Sequence, residues 1–388
     1  MNNNKYRLHV LGLPHTITRK EYCTCAFTMC VLKFCKMMKQ RGHYIIHYGN
    51  KESIVECDEN VSLLDIEDLK KTYGKDLNYF KTNFFKYSND DHCHEKFNKN
   101  AIIELEKRLE SKDFVLGFWG FGNFPIYEYV EKMKKALFVE ASVGYYNSFS
   151  KYRVYVSYAL HNFQLGLENK SSNCLENKPR HYDTVIPLYF DLNDFNFNIE
   201  RGDYFLFISR IHECKGIHIA IQLAKKTNIK LKICGQGNIS EYLDINDKSN
   251  INIEYIGYAD IELRKELMSK AKGLLIFSDY VEPFGAVVTE AMLSGCPVIC
   301  HDFGAFSENV IHSITGYRCK TFEHMIWAIN NIHIINPNDC RKFAINNYSF
   351  DKISVMYEEY FYSLQNLFLN GWYQENDNRT DLNYLKSF

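Results

Sequence analysis

The chain has 388 residues, 46% of them hydrophobic, with 46 basic and 47 acidic side chains and a formal net charge of -1. That balance argues against a protein held to nucleic acid by bulk charge, and no uninterrupted apolar run reaches the roughly eighteen residues of a membrane-spanning helix. The start, Met1-Asn2-Asn3-Asn4-Lys5, lacks the apolar core of a signal peptide, so a soluble, cytoplasmic protein is expected.

The length exceeds what one hydrophobic core usually supports, and two domains are expected. Thirteen cysteines, an odd number scattered singly through apolar segments, read as reduced and mostly buried thiols. In the first half, strands are expected at 7–13, 44–48, 114–118, 136–140 and 184–187, with helices at 23–41, 102–111, 126–135 and 157–167. Helix 23–41 carries Lys33, Lys36, Lys39 and Arg41 alongside Phe27, Val31, Phe34 and Met38. Such a face offers weak peripheral contact with anionic membrane, although a domain helix with a solvated basic face is the plainer reading. Cys23-Thr24-Cys25 and Asp91-His92-Cys93-His94 contain metal-ligand residue types. Neither has a second half at zinc spacing, and 91–94 reads as a solvated loop.

An Asn- and Asp-rich stretch at 188–201 reads as a linker. Beyond it, strands at 204–208, 231–234, 251–256, 273–277 and 297–300 alternate with helices at 218–226, 261–271 and 285–294. The expected fold is therefore α/β: two Rossmann-like, doubly wound parallel-sheet domains facing each other across a cleft, at 1–190 and 200–345. A closing helix at about 350–370 is expected to pack back on the first domain, followed by a polar tail at 371–388.

Two constellations fall at strand ends of the second half. Ser209-Arg210 and Lys215-Gly216 follow the strand at 204–208 and precede a helix, where the helix dipole repels cations unless they share an anion such as a diphosphate. Glu282-Pro283-Phe284-Gly285-Ala286-Val287 follows the strand at 273–277 and opens the next helix, on which Glu290 lies eight positions after Glu282. Gly285 lets a ligand approach the first-turn amides. Three and four positions from Glu290 stand Ala286, Val287, Leu293 and Ser294, none of them cationic. Its carboxylate therefore faces solvent or accepts hydrogen bonds from something outside the chain, such as ribose hydroxyls. Gly235-Gln236-Gly237 and Gly257-Tyr258 end two further strands and allow close backbone approach, a weak signal taken alone.

In order and spacing, Ser209-Arg210, Lys215-Gly216, Gly235-Gln236-Gly237, Glu282 through Glu290, Gly295-Cys296-Pro297 and Gly304 to Glu308 resemble the retaining glycosyltransferases of family 4 (glycosyl transferases group 1), which have the GT-B fold. The resemblance covers roughly 204–334. It implies that Arg210 and Lys215 grip the donor diphosphate, that Glu290 binds the ribose, and that Glu282 with the backbone of Phe284, Gly285, Ala286 and Val287 holds the transferred sugar. Gly235 and Gly257 would line the donor. In the first half, Gly12 occupies the place of the family's glycine-rich loop without its double glycine, and His15 and His161 are candidates for an N-domain histidine, with a structural role as the plainer reading. The segment 140–146 and the aromatic first half would shape an acceptor pocket.

The resemblance thus implies an enzyme moving a sugar from a nucleoside-diphosphate sugar to a glycan, lipid-linked or other hydroxyl acceptor. No cofactor or metal is expected: no Asp-x-Asp motif occurs in the donor half, and Arg210 and Lys215 would take a metal's electrostatic role. Glu282, Arg210 and Lys215 are the expected catalytic residues. A non-catalytic sugar-nucleotide or glycan-binding protein of the same fold is the main alternative, and a nucleotide-sugar epimerase a weaker one. A lone Rossmann dehydrogenase is disfavoured because no Gly-x-Gly-x-x-Gly follows the first strand.

Overall fold

A computed structural model describes residues 5–168, 182–244 and 246–367, so the expected polar tail at 371–388 lies outside the described residues. Thirteen strands form two sheets among these residues, and every pairing is parallel. The first contains β1 (Arg7–Leu11), β2 (Tyr44–Asn50), β3 (Glu59–Leu64), β4 (Phe114–Gly117), β5 (Leu137–Val143), β6 (Tyr152–Tyr155) and β7 (Thr184–Val185), ordered β3-β2-β1-β4-β5-β6-β7. Its helices are α1 (Ala26–Gln40), α2 (Ile66–Tyr73), α3 (His92–Arg108), α4 (Phe124–Met133) and α5 (Tyr158–Glu168).

The second sheet contains β8 (Tyr204–Ile208), β9 (Lys230–Cys234), β10 (Ile253–Gly257), β11 (Gly273–Ile276), β12 (Val298–His301) and β13 (Gly316–Cys319), ordered β10-β9-β8-β11-β12-β13. With it go α6 (Ile217–Thr227), α7 (Ile261–Lys270), α8 (Ala286–Leu293), the short α9 (Phe306–Asn309), α10 (Phe322–Asn331), α11 (Pro337–Tyr348) and α12 (Phe350–Leu367). The expected α/β architecture of two doubly wound parallel sheets is thus present.

Side-chain alternation along the strands decides which core each residue enters. Leu8, Val10, Phe114, Leu116, Leu137 and Val139 face a cluster with Phe34 and Met38 of α1. Their neighbours Leu11, Val115 and Phe138 face the opposite cluster, with Phe97 and Ala101 of α3. Helix α12 joins the α1 side through Ile353, Tyr357, Phe361 and Leu364. A two-pronged ion pair supports it: Arg41 Nε and Nη2 donate to the Glu358 carboxylate at 2.9 and 2.7 Å.

Several expected boundaries are corrected. Residues 91–94 are not a solvated loop: Asp91 caps α3, accepting from His94 N at 2.9 Å, and Cys93 and His94 are buried. Strand β5 runs on to Val143, burying Glu140, which accepts from Tyr145 Oη, Phe149 N and Ser150 N at 2.9, 2.8 and 2.7 Å. Nor is the basic face of α1 simply solvated: Lys36 pairs with Asp191 at 2.8 Å, Lys39 pairs with Asp58, and Lys33 lies over the Phe190 ring at 4.6 Å. Among the described residues no helix is long and apolar enough to cross a membrane.

Candidate functional site

Each sheet reverses its strand order between two neighbours, β1 and β4 in the first and β8 and β11 in the second. Loops leaving such a pair diverge, opening a crevice at the strands' carboxyl ends. In the second sheet the loop after β8 carries Arg210 and Lys215, and the loop after β11 carries Glu282. Pairing of the two strands therefore brings together side chains 67 positions apart.

Lys215 Nζ donates to Glu282 Oε2 at 2.8 Å, and Ser278 Oγ donates to the same oxygen at 2.8 Å. Lys215 also touches Tyr280 Oη, whose pKa is raised by burial and then by the Glu282 carboxylate. Both charged side chains are 11% exposed, so this is a nearly buried ion pair. The sequence reading set Lys215 and Glu282 to separate parts of a ligand; in the structure they are a single unit.

Helix α8 starts beside them. Gly285, its N-cap, has φ 75°, and a Cβ there would stand 2.7 Å from the Phe306 ring, so glycine suits both backbone and space. Ala286 and Val287 follow, half-buried, with their amides in the first turn, where a helix end has unpaired donors. Phe284 is buried: its ring stacks on Phe190 at 6.4 Å and meets Tyr348 edge-on at 5.6 Å, and its carbonyl accepts from Asn309.

Glu290 corrects the sequence reading. Its own helix offers no cation, but Arg264 of α7 pairs with its Oε2. Burial opposes the Arg264 charge, yet the Glu290 carboxylate, with Cys23 and Cys234 nearby, leaves the guanidinium pKa raised. The argument that found Lys215 could have found Arg264 as well. Asp260 caps α7 and places Arg264 near the helix start, where a cation needs an anion beside it.

Arg264 and Glu290 share a cavity of about 230 Å³ with Arg210, Gly235, Gln236 and Tyr258. The first domain closes it with Cys23 and Lys33. Gly235 is required there because a Cβ would run into the Ser209 carbonyl. Gly257 stands just behind, its carbonyl accepting from Gly235 N at 2.8 Å. Lys215 and Glu282 do not line this cavity. Contacts across the cleft include Arg210 over the Phe84 ring at 5.6 Å, Gln236 Nε2 to the Phe80 carbonyl, and the Tyr258 hydroxyl 3.4 Å from Cys23 Sγ. The Tyr146 phenol pKa is raised by burial and then by the Glu282 carboxylate.

At the first sheet's switch point the loop after β1 meets the loop after β4. His15 lies 4.4 Å from the Trp119 ring, with Tyr87 at 5.3 Å and His94 at 6.0 Å. Burial, then the nearby His94, pushes the His15 pKa down to about 3, so its ring is neutral near pH 7, and its buried Nδ1 has no hydrogen-bond partner among the described residues. Trp119 Nε1 donates to His94 Nε2 at 2.9 Å, leaving His94 Nδ1 as donor to Asp91. Gly12 packs against β2, where a Cβ would stand 2.9 Å from the Tyr48 carbonyl. His161, on α5, sits 3.6 Å from Asp183 and 4.9 Å from the Tyr155 ring. Sequence reasoning missed Trp119, Ser278 and Tyr280 as neighbours of these groups.

Two parallel α/β domains meeting at their switch points define the GT-B architecture. Residues 190–350 match the family described as Glycosyl transferases group 1, bearing out the group 1 part of that resemblance. An uncharacterized glycosyltransferase of Methanocaldococcus jannaschii is 28% identical over 198 residues, 46% of this chain and 49% of that protein. The chain thus spans about half the length of this curated relative. Among solved structures, AviGT4, a glycosyltransferase involved in avilamycin A biosynthesis, superposes with a TM-score of 0.65 at 17% identity over 93% of this chain and 98% of its own. HepE of Anabaena, in complex with UDP and glucose, gives a TM-score of 0.62 at 14% identity over 91% of this chain and 98% of its own. These likenesses establish the fold.

Proposed function

We propose that the chain is a glycosyltransferase that moves a sugar from a nucleoside-diphosphate sugar to a glycan or other hydroxyl acceptor, with retention and without a divalent ion. The observation that carries this is the second domain's switch point: a cavity walled by Arg210 and Glu290 beside a glycine-started helix and the Lys215–Glu282 pair. The group 1 match over the same domain and the UDP and glucose held by HepE support it.

The chemistry follows from charge. As the bond to the diphosphate breaks, negative charge grows on the leaving phosphate and positive charge on the sugar ring. Arg210, Lys215 and the N-terminus of α8 stabilise the first, while Glu282 orients sugar hydroxyls or faces the anomeric carbon. The ion pair suggests how they act together. A diphosphate competing for Lys215 loosens its hold on Glu282, which then turns to the sugar. Glu290, steadied by Arg264, accepts from the ribose.

A non-catalytic sugar-nucleotide-binding role is the second reading. It is favoured by the placement of the histidines, His15 enclosed among aromatic rings and His161 beside Asp183. Calorimetry with UDP, GDP and ADP tests what both readings share. At least one diphosphate binds, and Lys215→Ala weakens it about tenfold, as expected for a lost charge-assisted contact. Absence of binding by all three would sink both readings.

A further inference from the structure

The segment from Gly304 to Glu308 entered through a resemblance that gave it no task. Glu308 reaches the other domain. Its Oε2 accepts from Tyr158 N at 2.9 Å and its Oε1 from Ala159 N at 2.6 Å. These are the first two amides of α5. The next, Leu160 N, donates to Ser157 Oγ at 3.1 Å, and His161 N returns to the Ser157 carbonyl at 3.1 Å. All four first-turn donors of α5 thus have acceptors, two from its own serine cap and two from a carboxylate of the second domain. A carboxylate in this place both satisfies donors and complements the helix dipole.

The other end of the segment is built into the site. Ala305 N donates to the Glu282 carbonyl at 3.3 Å, and the Asn309 side-chain amide donates to the Phe284 carbonyl. The Tyr348 hydroxyl donates to Asn309 Oδ1 at 3.1 Å, fixing that amide. At Gly304 a Cβ would stand 3.1 Å from Glu282 N, so the segment lies directly against the loop carrying Glu282. One short helix therefore links a backbone bond at Glu282 to a helix cap in the first domain.

We propose that Glu308 is a positioning residue, a latch that docks α5 of the first domain onto the loop holding Glu282 and so sets the two halves of the cleft in register. The bond from Tyr158 N lies at the exposed surface and that from Ala159 N is part-buried, so water can replace the carboxylate when the domains part. The latch is therefore reversible. The inference goes beyond the proposed function, and only its turnover arm rests on that reading.

Hydrogen exchange followed by mass spectrometry, on the full chain, reads the latch directly. Glu308→Ala speeds exchange of the amides at 158 and 159 about tenfold, the scale of a lost helix cap, and Glu308→Gln, which keeps one acceptor, gives a smaller change. With a donor that the wild type turns over, Glu308→Ala lowers kcat by about the same factor while the donor KM changes less than about threefold, and Glu308→Gln recovers part of the loss. Unchanged exchange at 158 and 159 in Glu308→Ala overturns the latch. Faster exchange with unaltered kcat overturns its positioning role. If the wild type turns over no donor, the sugar-transfer reading fails while the exchange result still decides the latch.

Discussion

The pair formed by Arg264 and Glu290 shows what a single residue owes to its surroundings. Each side chain is mostly withdrawn from water, at 21% and 15% exposure, so neither charge is cheaply left alone. Arg264→Met should destabilise the fold by about 3 kcal/mol in urea titration, because it strands the carboxylate. Adding Glu290→Met should return much of that loss. A double variant no more stable than the single one would contradict the pairing. Glu290 was visible in the sequence as a carboxylate without a partner on its own helix. Its partner was not, because Arg264 lies 26 positions earlier on another helix and only the fold puts them together. Lys215 and Glu282 were legible one at a time for the same reason.

At the level of elements, legibility tracked the regularity of the apolar pattern. Strand β8, Tyr-Phe-Leu-Phe-Ile, is uniformly buried and matches its expected bounds of 204–208. Strand β6 was missed because Arg153 interrupts it; the arginine is buried there and bonded to Asp183 at 2.9 and 2.7 Å, which sequence alone does not disclose. Strand β13 has four residues, opens with Gly316 and includes Arg318, too little for a period. Helix α11 did carry a signal that went unused: Asn336 caps it and Pro337 holds its first position. Helix α8 was read nearly to the residue because Gly285 and Gly295 bracket it. Gly285→Ala tests that reading of its start. Forcing a left-handed alanine against Phe306 should cost about 1–2 kcal/mol from the backbone alone, seen as a lower Tm together with weaker nucleotide binding. An unchanged Tm would contradict it.

Among the described residues the molecule is two sheets whose switch points face one crevice, and each contributes a different chemistry. The second brings charge: Arg210, the Lys215–Glu282 pair, the Arg264–Glu290 pair and the start of α8. The first brings neutral aromatic surface around His15 and Trp119. The two-domain plan was legible because strands and helices alternate through both halves. The contacts across the cleft were not, since Phe80, Phe84 and Cys23 approach the second domain from short connecting segments whose sequence does not point to a partner there. The central claim, that this crevice transfers a sugar, is tested most directly by incubating the chain with a panel of nucleoside-diphosphate sugars and measuring released nucleoside diphosphate by mass spectrometry. Sugar transfer predicts slow release from at least one donor, reduced by about a hundredfold or more in Glu282→Ala. No release from any donor, or release that Glu282→Ala leaves intact, would contradict it.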